Sequence, residues 1–211
     1  AMVVVTLSMS VLAVENHPTH TIEITFQSKK HIYRIASTGK VELEVAGAPR
    51  RVFSLPMLKD EVIEAARIIP YENDLIFIYP ASDGEGAGNH LVRIDPATYQ
   101  PIWKQWIPAF NVSKPTVGDA SLFIGASGFI GKVNLQTGKY DWKHEGLYQK
   151  YGVNRIQSIE LGKATVDFRY EGVGTLQADR DSGKFTFEPD LSKIKETSGV
   201  TAPLPIDPKR R

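Results

Sequence analysis

Apolar and polar residues alternate in short runs along most of this chain. Leu75-Ile76-Phe77-Ile78-Tyr79, Leu91-Val92-Arg93-Ile94, Leu122-Phe123-Ile124 and Thr165-Val166-Asp167-Phe168-Arg169-Tyr170 are rich in β-branched and aromatic residues, with Gly, Asn, Asp and Pro between them. That is strand patterning. Near the start, Leu7, Met9, Val11 and Ala13 fall on one face, with Thr6, Ser8 and Ser10 on the other. After a turn at His17-Pro18-Thr19-His20 the alternation resumes with Ile22, Ile24 and Phe26. Residues 3–13 have a second reading, a clipped secretory signal ending on Val11-Leu12-Ala13, although no Lys or Arg precedes them. One stretch departs from the strand pattern. Residues 56–69 (PMLKDEVIEAARII) carry Leu58, Val62, Ala65 or Ala66 and Ile69 at helical spacing. Ser54 or Leu55 stands at the cap, Pro56 in the first turn and Pro70 at the stop. A short helix is expected there. Residues 201–211 (TAPLPIDPKRR) read as an extended surface tail.

The chain also repeats itself. Residues 33–43 (YRIASTGKVEL), 93–103 (RIDPATYQPIW), 132–142 (KVNLQTGKYDW) and 177–187 (QADRDSGKFTF) align on one frame. An apolar strand leads to a small or acidic residue, then to Thr/Ser-Gly-Lys, then to a strand ending on Trp or another large apolar residue. The Gly supplies the positive φ a tight hairpin requires. The large residue five positions after the Thr or Ser returns to the buried face and packs on the neighbouring sheet. Thr98 to Thr137 spans 39 residues and Thr137 to Ser182 spans 45. Thr38 to Thr98 spans 60, one repeat plus roughly the length of the expected helix. A period near 40 with several strands per unit is that of propeller blades.

The segments IDPATYQPIW and VNLQTGKYDW resemble the repeats of PQQ-like, quinoprotein-type β-propellers, whose hairpins run apolar-Asp-x-x-Thr-Gly-x-x-x-Trp. The resemblance covers residues 74–187 well and 22–43 weakly. It implies seven or eight blades in the family, whereas 211 residues at about 40 each make only four or five. The expected fold is therefore all-β and antiparallel, a small or partial β-propeller with one short inserted helix. One domain over residues 1–200 is followed by the tail. The resemblance also implies a bound quinone held with calcium, acidic and Asn ligands and often a vicinal disulfide. The chain has no cysteine and no acidic cluster that maps onto such a site, so no cofactor is expected.

Composition narrows the function classes. Lys+Arg 25 against Asp+Glu 24 is too balanced for a basic nucleic-acid scaffold or an acidic disordered tail. The lack of cysteine removes thiol catalysis, Cys-ligated zinc and disulfide redox chemistry. No apolar run reaches the roughly 18 residues of a membrane-spanning helix.

Each candidate for chemistry has a plainer reading. Asp179, Asp181 and Gly183 start like a calcium loop with Asp190 at its twelfth position, but the sixth is Lys184, which leaves a charged hairpin tip. The loop holding Asp83, Gly84, Glu85, Gly86 and Gly88 suggests a phosphate loop, but a strand follows it instead of a helix. Gly125-Ala126-Ser127-Gly128-Phe129 misses the second Gly of a nucleophile elbow and reads as a turn between strands. His17, His20, His31, His90 and His144 are scattered; His17 and His20 share a turn without a third ligand. Asp60, Glu61 and Glu64 lie on the expected helix as a solvated face, with Asp60 and Glu64 four apart.

The aromatic residues divide by position. Trp103 and Trp142 hold the packing position of the repeat, whereas Trp106, Tyr148 and Tyr151 are less tied to it. Residues 146–155 (GLYQKYGVNR) combine two Tyr with two basic residues, the types that anchor interfaces. A non-catalytic protein-interaction module is the leading expectation, with a protein partner contacted through Tyr148, Tyr151, Arg155, Ser127, Asp83, Glu85 and His90. In its specific form it is a periplasmic inhibitor or immunity protein that blocks a secreted bacterial toxin with projecting loops. A periplasmic or secreted location goes with it, the cytoplasm remaining open. The alternatives are a glycan- or small-ligand-binding propeller and, third, a propeller-type enzyme.

Overall fold

A computed structural model describes residues 19–82, 87–152, 155–172 and 174–189. The strand expected over residues 7–13, His17, Asp83, Glu85, Asp190 and the tail at 201–211 lie outside the described residues. Seventeen strands form four antiparallel sheets in chain order, and we call each sheet a blade. Blade 1 holds β1 (Thr19–Phe26), β2 (Lys29–Ala36), β3 (Lys40–Val45) and β4 (Arg51–Ser54). Blade 2 holds β5 (Val62–Ile63), β6 (Arg67–Tyr71), β7 (Asp74–Ser82), β8 (Ala87–Ile94) and β9 (Pro101–Ile107). Blade 3 holds β10 (Thr116–Gly118), β11 (Ser121–Ala126), β12 (Phe129–Asn134) and β13 (Tyr140–His144). Blade 4 holds β14 (Ile156–Leu161), β15 (Thr165–Tyr170), β16 (Gly174–Asp179) and β17 (Phe185–Phe187). Blades 1, 3 and 4 are meanders; in blade 2, β5 and β6 lie one after the other along the same edge of β7, and β7, β8 and β9 continue as a meander.

The alternation read from the sequence assigns the faces. Three apolar clusters join the blades in succession. Tyr33, Ile35, Val41 and Leu43 of blade 1 pack on Phe77, Tyr79 and Val92 of blade 2. The other face of blade 2, with Ile76, Ile78 and Leu91, packs on Leu122, Ile124 and Val133 of blade 3. Phe123, Ile130 and Trp142 of blade 3 pack on Val166, Phe168 and Leu176 of blade 4. The outward faces of the first and last blades are polar. On blade 1, Lys30 pairs with Glu23 at 2.7 Å and Arg34 with Glu44 at 2.9 Å, while Arg50 and Lys40 share Glu42. On blade 4, Gln177 donates to Asp167 at 2.8 Å and Thr186 to Gln177 at 2.8 Å.

The repeat frame resolves into a shared turn. In blades 2, 3 and 4 it joins the third strand to the fourth. Asp95, Asn134 and Asp179 each accept backbone N–H groups from two or three residues on: Ala97 at 2.8 Å, Gln136 and Thr137 at 3.0 Å, and Ser182 at 2.8 Å. Tyr99, Gly138 and Gly183 then take the left-handed conformation at φ +58°, +71° and +70°. The Ala97 N–H at Asp95, and the Ser182 hydroxyl at 2.7 Å with the Ser182 N–H at Asp179, hold these two carboxyls below their usual range. Asp179 thus serves the turn, not a calcium loop.

Each turn is also the seat for the preceding blade. Trp103 Nε1 donates to Leu135 O at 2.9 Å and its ring lies against Gly138. Trp142 Nε1 donates to Arg180 O at 3.0 Å and lies against Gly183. Phe53 stacks on Tyr99 with ring centroids 4.9 Å apart. The first repeat segment is out of register with the others, because Thr38-Gly39 joins the second strand to the third. Its docking residue is Phe53 on the fourth strand, not Leu43. At the far end, Phe187 occupies the docking position and is 56% exposed, so the burial expected of it does not occur.

Residues 56–69 do not form the expected helix. Asp60 sits at φ +67°, which interrupts any helical run. Val62-Ile63 pairs with Ser82 and Ala81, and Arg67–Tyr71 pairs with β7 from Ile78 to Asp74. The open edge of β7 and the β-branched Val62, Ile63, Ile68 and Ile69 outweigh the helical spacing. The one short helix among the described residues is α1 (Leu147–Tyr151), bracketed by Gly146 and Gly152 in left-handed conformation. No helix among the described residues is long and apolar enough to cross a membrane.

Candidate binding surface

In a meander of four strands, the turn between the second and third strands and the connection to the next blade fall at one end. The other two turns fall at the opposite end. The connector end of this protein therefore gathers the Ser37–Gly39 turn, the segment 55–66, the loop 108–115, the turn at Ser127-Gly128 and the segment 145–155. Strands β7 and β8 also finish here, at Ser82 and Ala87.

The residues singled out from the sequence meet different fates at this end. Ser127 is half-buried; its N–H donates to Phe110 O at 2.9 Å and its Oγ accepts from Asn111 Nδ2 at 3.2 Å. Tyr148 is half-buried and its Cβ side rests on Gly128, whose carbonyl accepts Leu147 N–H at 3.0 Å. Arg155 is exposed. Tyr151 is not a surface anchor: it is 4% exposed within the blade 3–blade 4 core and its hydroxyl donates to Glu188. Burial of its ring wins because Leu147 and Tyr151 are the two positions of α1 that face inward.

His90 is also internal, at 8% exposure. Its Nε2 lies 3.0 and 2.9 Å from the two oxygens of Glu61. Glu61, expected on a solvated helix face, is instead buried, and it also accepts Leu58 N–H at 2.6 Å. The aromatic rings of Tyr79 and Trp106 flank His90 at 5.1 and 4.9 Å. Burial raises the Tyr79 hydroxyl pKa far above its usual value, and the Glu61 carboxylate adds to this. That hydroxyl donates to Pro56 O at 2.5 Å. The pair thus clasps segment 55–61 against blade 2. Both carboxylate oxygens lie on one imidazole nitrogen, which is the geometry of a structural clasp.

At the same end, a cleft of about 250 Å³ opens between blade 2 and the connector that leads to blade 3. Its walls are Glu64 to Arg67 from the break between β5 and β6, Ile78, Pro80 and Asn89 from blade 2, and Phe110 to Val112 from the next connection. Four large apolar side chains stand exposed around this end: Leu58 (60%), Val62 (47%), Trp106 (37%) and Phe110 (58%). Sequence reasoning missed Phe110, Asn89 and Arg67. The available signal was a lone aromatic in the connector between Pro108 and Pro115, away from the strand pattern. Among the described residues no three His, Asp or Glu side chains are placed to hold a metal ion.

Among the described residues the architecture is that of a β-propeller-type protein, with four blades. One solved structure agrees on the fold. The chain is similar to a europium-containing methanol dehydrogenase, a propeller, with a TM-score of 0.53 and 10% identity over 74% of this chain and 39% of that one. It is also similar to Kluyveromyces lactis Hsv2 (TM-score 0.46, 12% identity, covering 80% of this chain and 50% of that one). A third similarity is to BamB from Moraxella catarrhalis (TM-score 0.38, 17% identity, covering 76% and 57%). The chain thus spans about two fifths to three fifths of the length of these proteins. No family model matches the chain, and no curated protein sequence matches it.

Proposed function

We propose that this chain is a non-catalytic protein-interaction module, built from PQQ-like blades, that contacts its partner through the connector end. One observation carries the reading. Of the eight exposed large apolar side chains among the described residues, four (Leu58, Val62, Trp106 and Phe110) stand at that end. They are presented by segments tied down by hydrogen bonds, and Tyr148 and Arg155 lie on the connector after blade 3. Exposed apolar groups with Tyr and Arg beside them on a rigid frame suit a protein contact. The geometry of the His90–Glu61 clasp favours binding over catalysis. In its specific form the module is a periplasmic or secreted inhibitor of a bacterial toxin.

The test is affinity capture from an extract of the source organism, read by mass spectrometry, with two variants in parallel. A stoichiometric partner lost with Trp106→Ala/Arg155→Ala, and kept with Val52→Ala/Ile102→Ala away from this end, supports the reading. No stoichiometric partner, or equal loss in both variants, rejects it. A toxin domain as the partner singles out the inhibitor form, and any other protein removes that form.

A further inference from the structure

The cleft between blade 2 and the connector 108–115 differs from the rest of the connector end in how its aromatic wall is held. Ser127 N–H binds Phe110 O at 2.9 Å, and Ser113 N–H binds Gly125 O at 2.9 Å. Asn89, 4% exposed, donates Nδ2 to Ala109 O at 2.7 Å. Asn111 is kept in the left-handed region at φ +52° while its amide reaches Ser127. A left-handed non-glycine residue costs free energy, and burial of the Asn89 amide is offset by its hydrogen bond to Ala109. Neither gains core packing for Phe110, which remains 58% exposed. The loop is preorganised to hold an aromatic ring at the mouth of a cleft.

The chemistry of the walls narrows the occupant. Ile78, Pro80 and Val112 supply an apolar wall. Glu64 and Arg67 add one carboxylate and one guanidinium, neither with an ion-pair partner among the described residues. Their charges cancel, which disfavours a phosphate or a cation. Each of the two groups is planar and can span neighbouring hydroxyls, and the Asn89 amide oxygen is left to accept a further hydrogen bond. The volume, about 250 Å³, lies below that of pockets for drug-sized ligands and suits a single substituted ring.

We propose that this cleft binds one neutral hexopyranose unit of a glycan, its C–H face on Phe110 and its vicinal hydroxyls on Arg67, Glu64 and Asn89. The site shares Phe110 with the connector end of the protein-partner reading, but its test needs only the chain and a small glycoside, so the two can fail separately. Saturation-transfer NMR with the methyl glycosides of glucose, galactose, mannose and N-acetylglucosamine reads binding directly. Saturable transfer from at least one glycoside is expected, with a dissociation constant of about 1–10 mM. Phe110→Ala weakens it about tenfold, Phe110→Trp restores it and Arg67→Met weakens it, all with an unchanged thermal midpoint. No saturable transfer from any glycoside up to about 50 mM overturns the proposal. So does binding that survives Phe110→Ala, or displacement of the glycoside by inorganic phosphate or by an acetylated peptide.

Discussion

Replacing Gly138 by Ala tests whether the blade turns act as seats for the preceding tryptophan or only as turns. Gly138 has φ +71°, and an added Cβ would lie 2.6 Å from Trp103 Cδ2. Two costs follow. The left-handed backbone costs an Ala about 1–2 kcal/mol, and forcing a methyl group into the docked indole costs about 1–3 kcal/mol more. Gly47 is the control, because it has φ +77° but nothing within 4 Å of an added Cβ, so only the backbone cost applies. Gly138→Ala is therefore expected to exceed Gly47→Ala by about 1–3 kcal/mol in urea unfolding followed by tryptophan fluorescence. For a chain of this size that is roughly 2–12 °C in thermal midpoint. In the background Trp103→Ala the two glycine substitutions should cost the same, since the indole has gone. Equal costs in the wild-type background would refute the seat.

Further expectations concern the clasp and the titrating groups. His90→Leu or Glu61→Leu alone should destabilise by about 3 kcal/mol, and the double variant by less than the sum, because each single change strands a buried polar partner; additive thermal shifts would contradict the pairing. Burial raises the hydroxyls of Tyr33, Tyr79, Tyr140 and Tyr170 well above the usual value of 10.0. A raised folded pKa gives stability that is complete below the unfolded value and is lost as pH rises past it. Absorbance at the phenolate band should accordingly rise in two stages above that pH, the second coincident with loss of the β-sheet circular dichroism signal; a single stage without unfolding would refute the burial. Asp95 and Asp179 are held below the usual carboxylate pKa, so their contribution is present above it and fades as pH falls further. Asp179→Asn should keep the blade 4 turn, as Asn134 does in blade 3, and lessen the acid sensitivity of the chain measured by thermal melts between about pH 2 and 5. An unchanged acid profile would count against that role.

The parts of this fold visible in the sequence were those encoded within a few residues. Thr137-Gly138 and Ser182-Gly183 announce their turns because positive φ and the Asx contacts are local. Tyr99 fills the same place without a glycine, and the frame around it still revealed the turn. Thr38-Gly39 misled for the same reason: a local signal says that a hairpin exists, not which pair of strands it joins. Residues 56–69 misled through Leu58 and Val62, whose helical spacing lost to a strand edge contributed by β7. The clasp was out of reach because Glu61 and His90 are 29 residues apart and meet only once β5 lies on β7. Phe110 escaped because a connector has no periodicity to deviate from. The recognition segment 145–155 was placed at the connector end, yet which of its tyrosines faces outward depended on α1, and there Tyr151 turned in.

The polar outer faces of blades 1 and 4 give the molecule the energetics of a short linear array. Among the described residues, four units are held by three interfaces, and each outer unit has only one neighbour to hold it. The ion pairs of Glu23, Lys30, Arg34 and Glu44 cover one end, and the hydrogen-bonded row of Asp167, Gln177 and Thr186 covers the other. Such arrays fray from their ends and are strongest in the middle. The middle here is blade 2, which forms one wall of the cleft, and blade 3, which follows the connector that forms the other. Amide protons of β7, β8, β11 and β12 should then be the last to exchange, and an outer blade could open and reclose while the cleft keeps its shape.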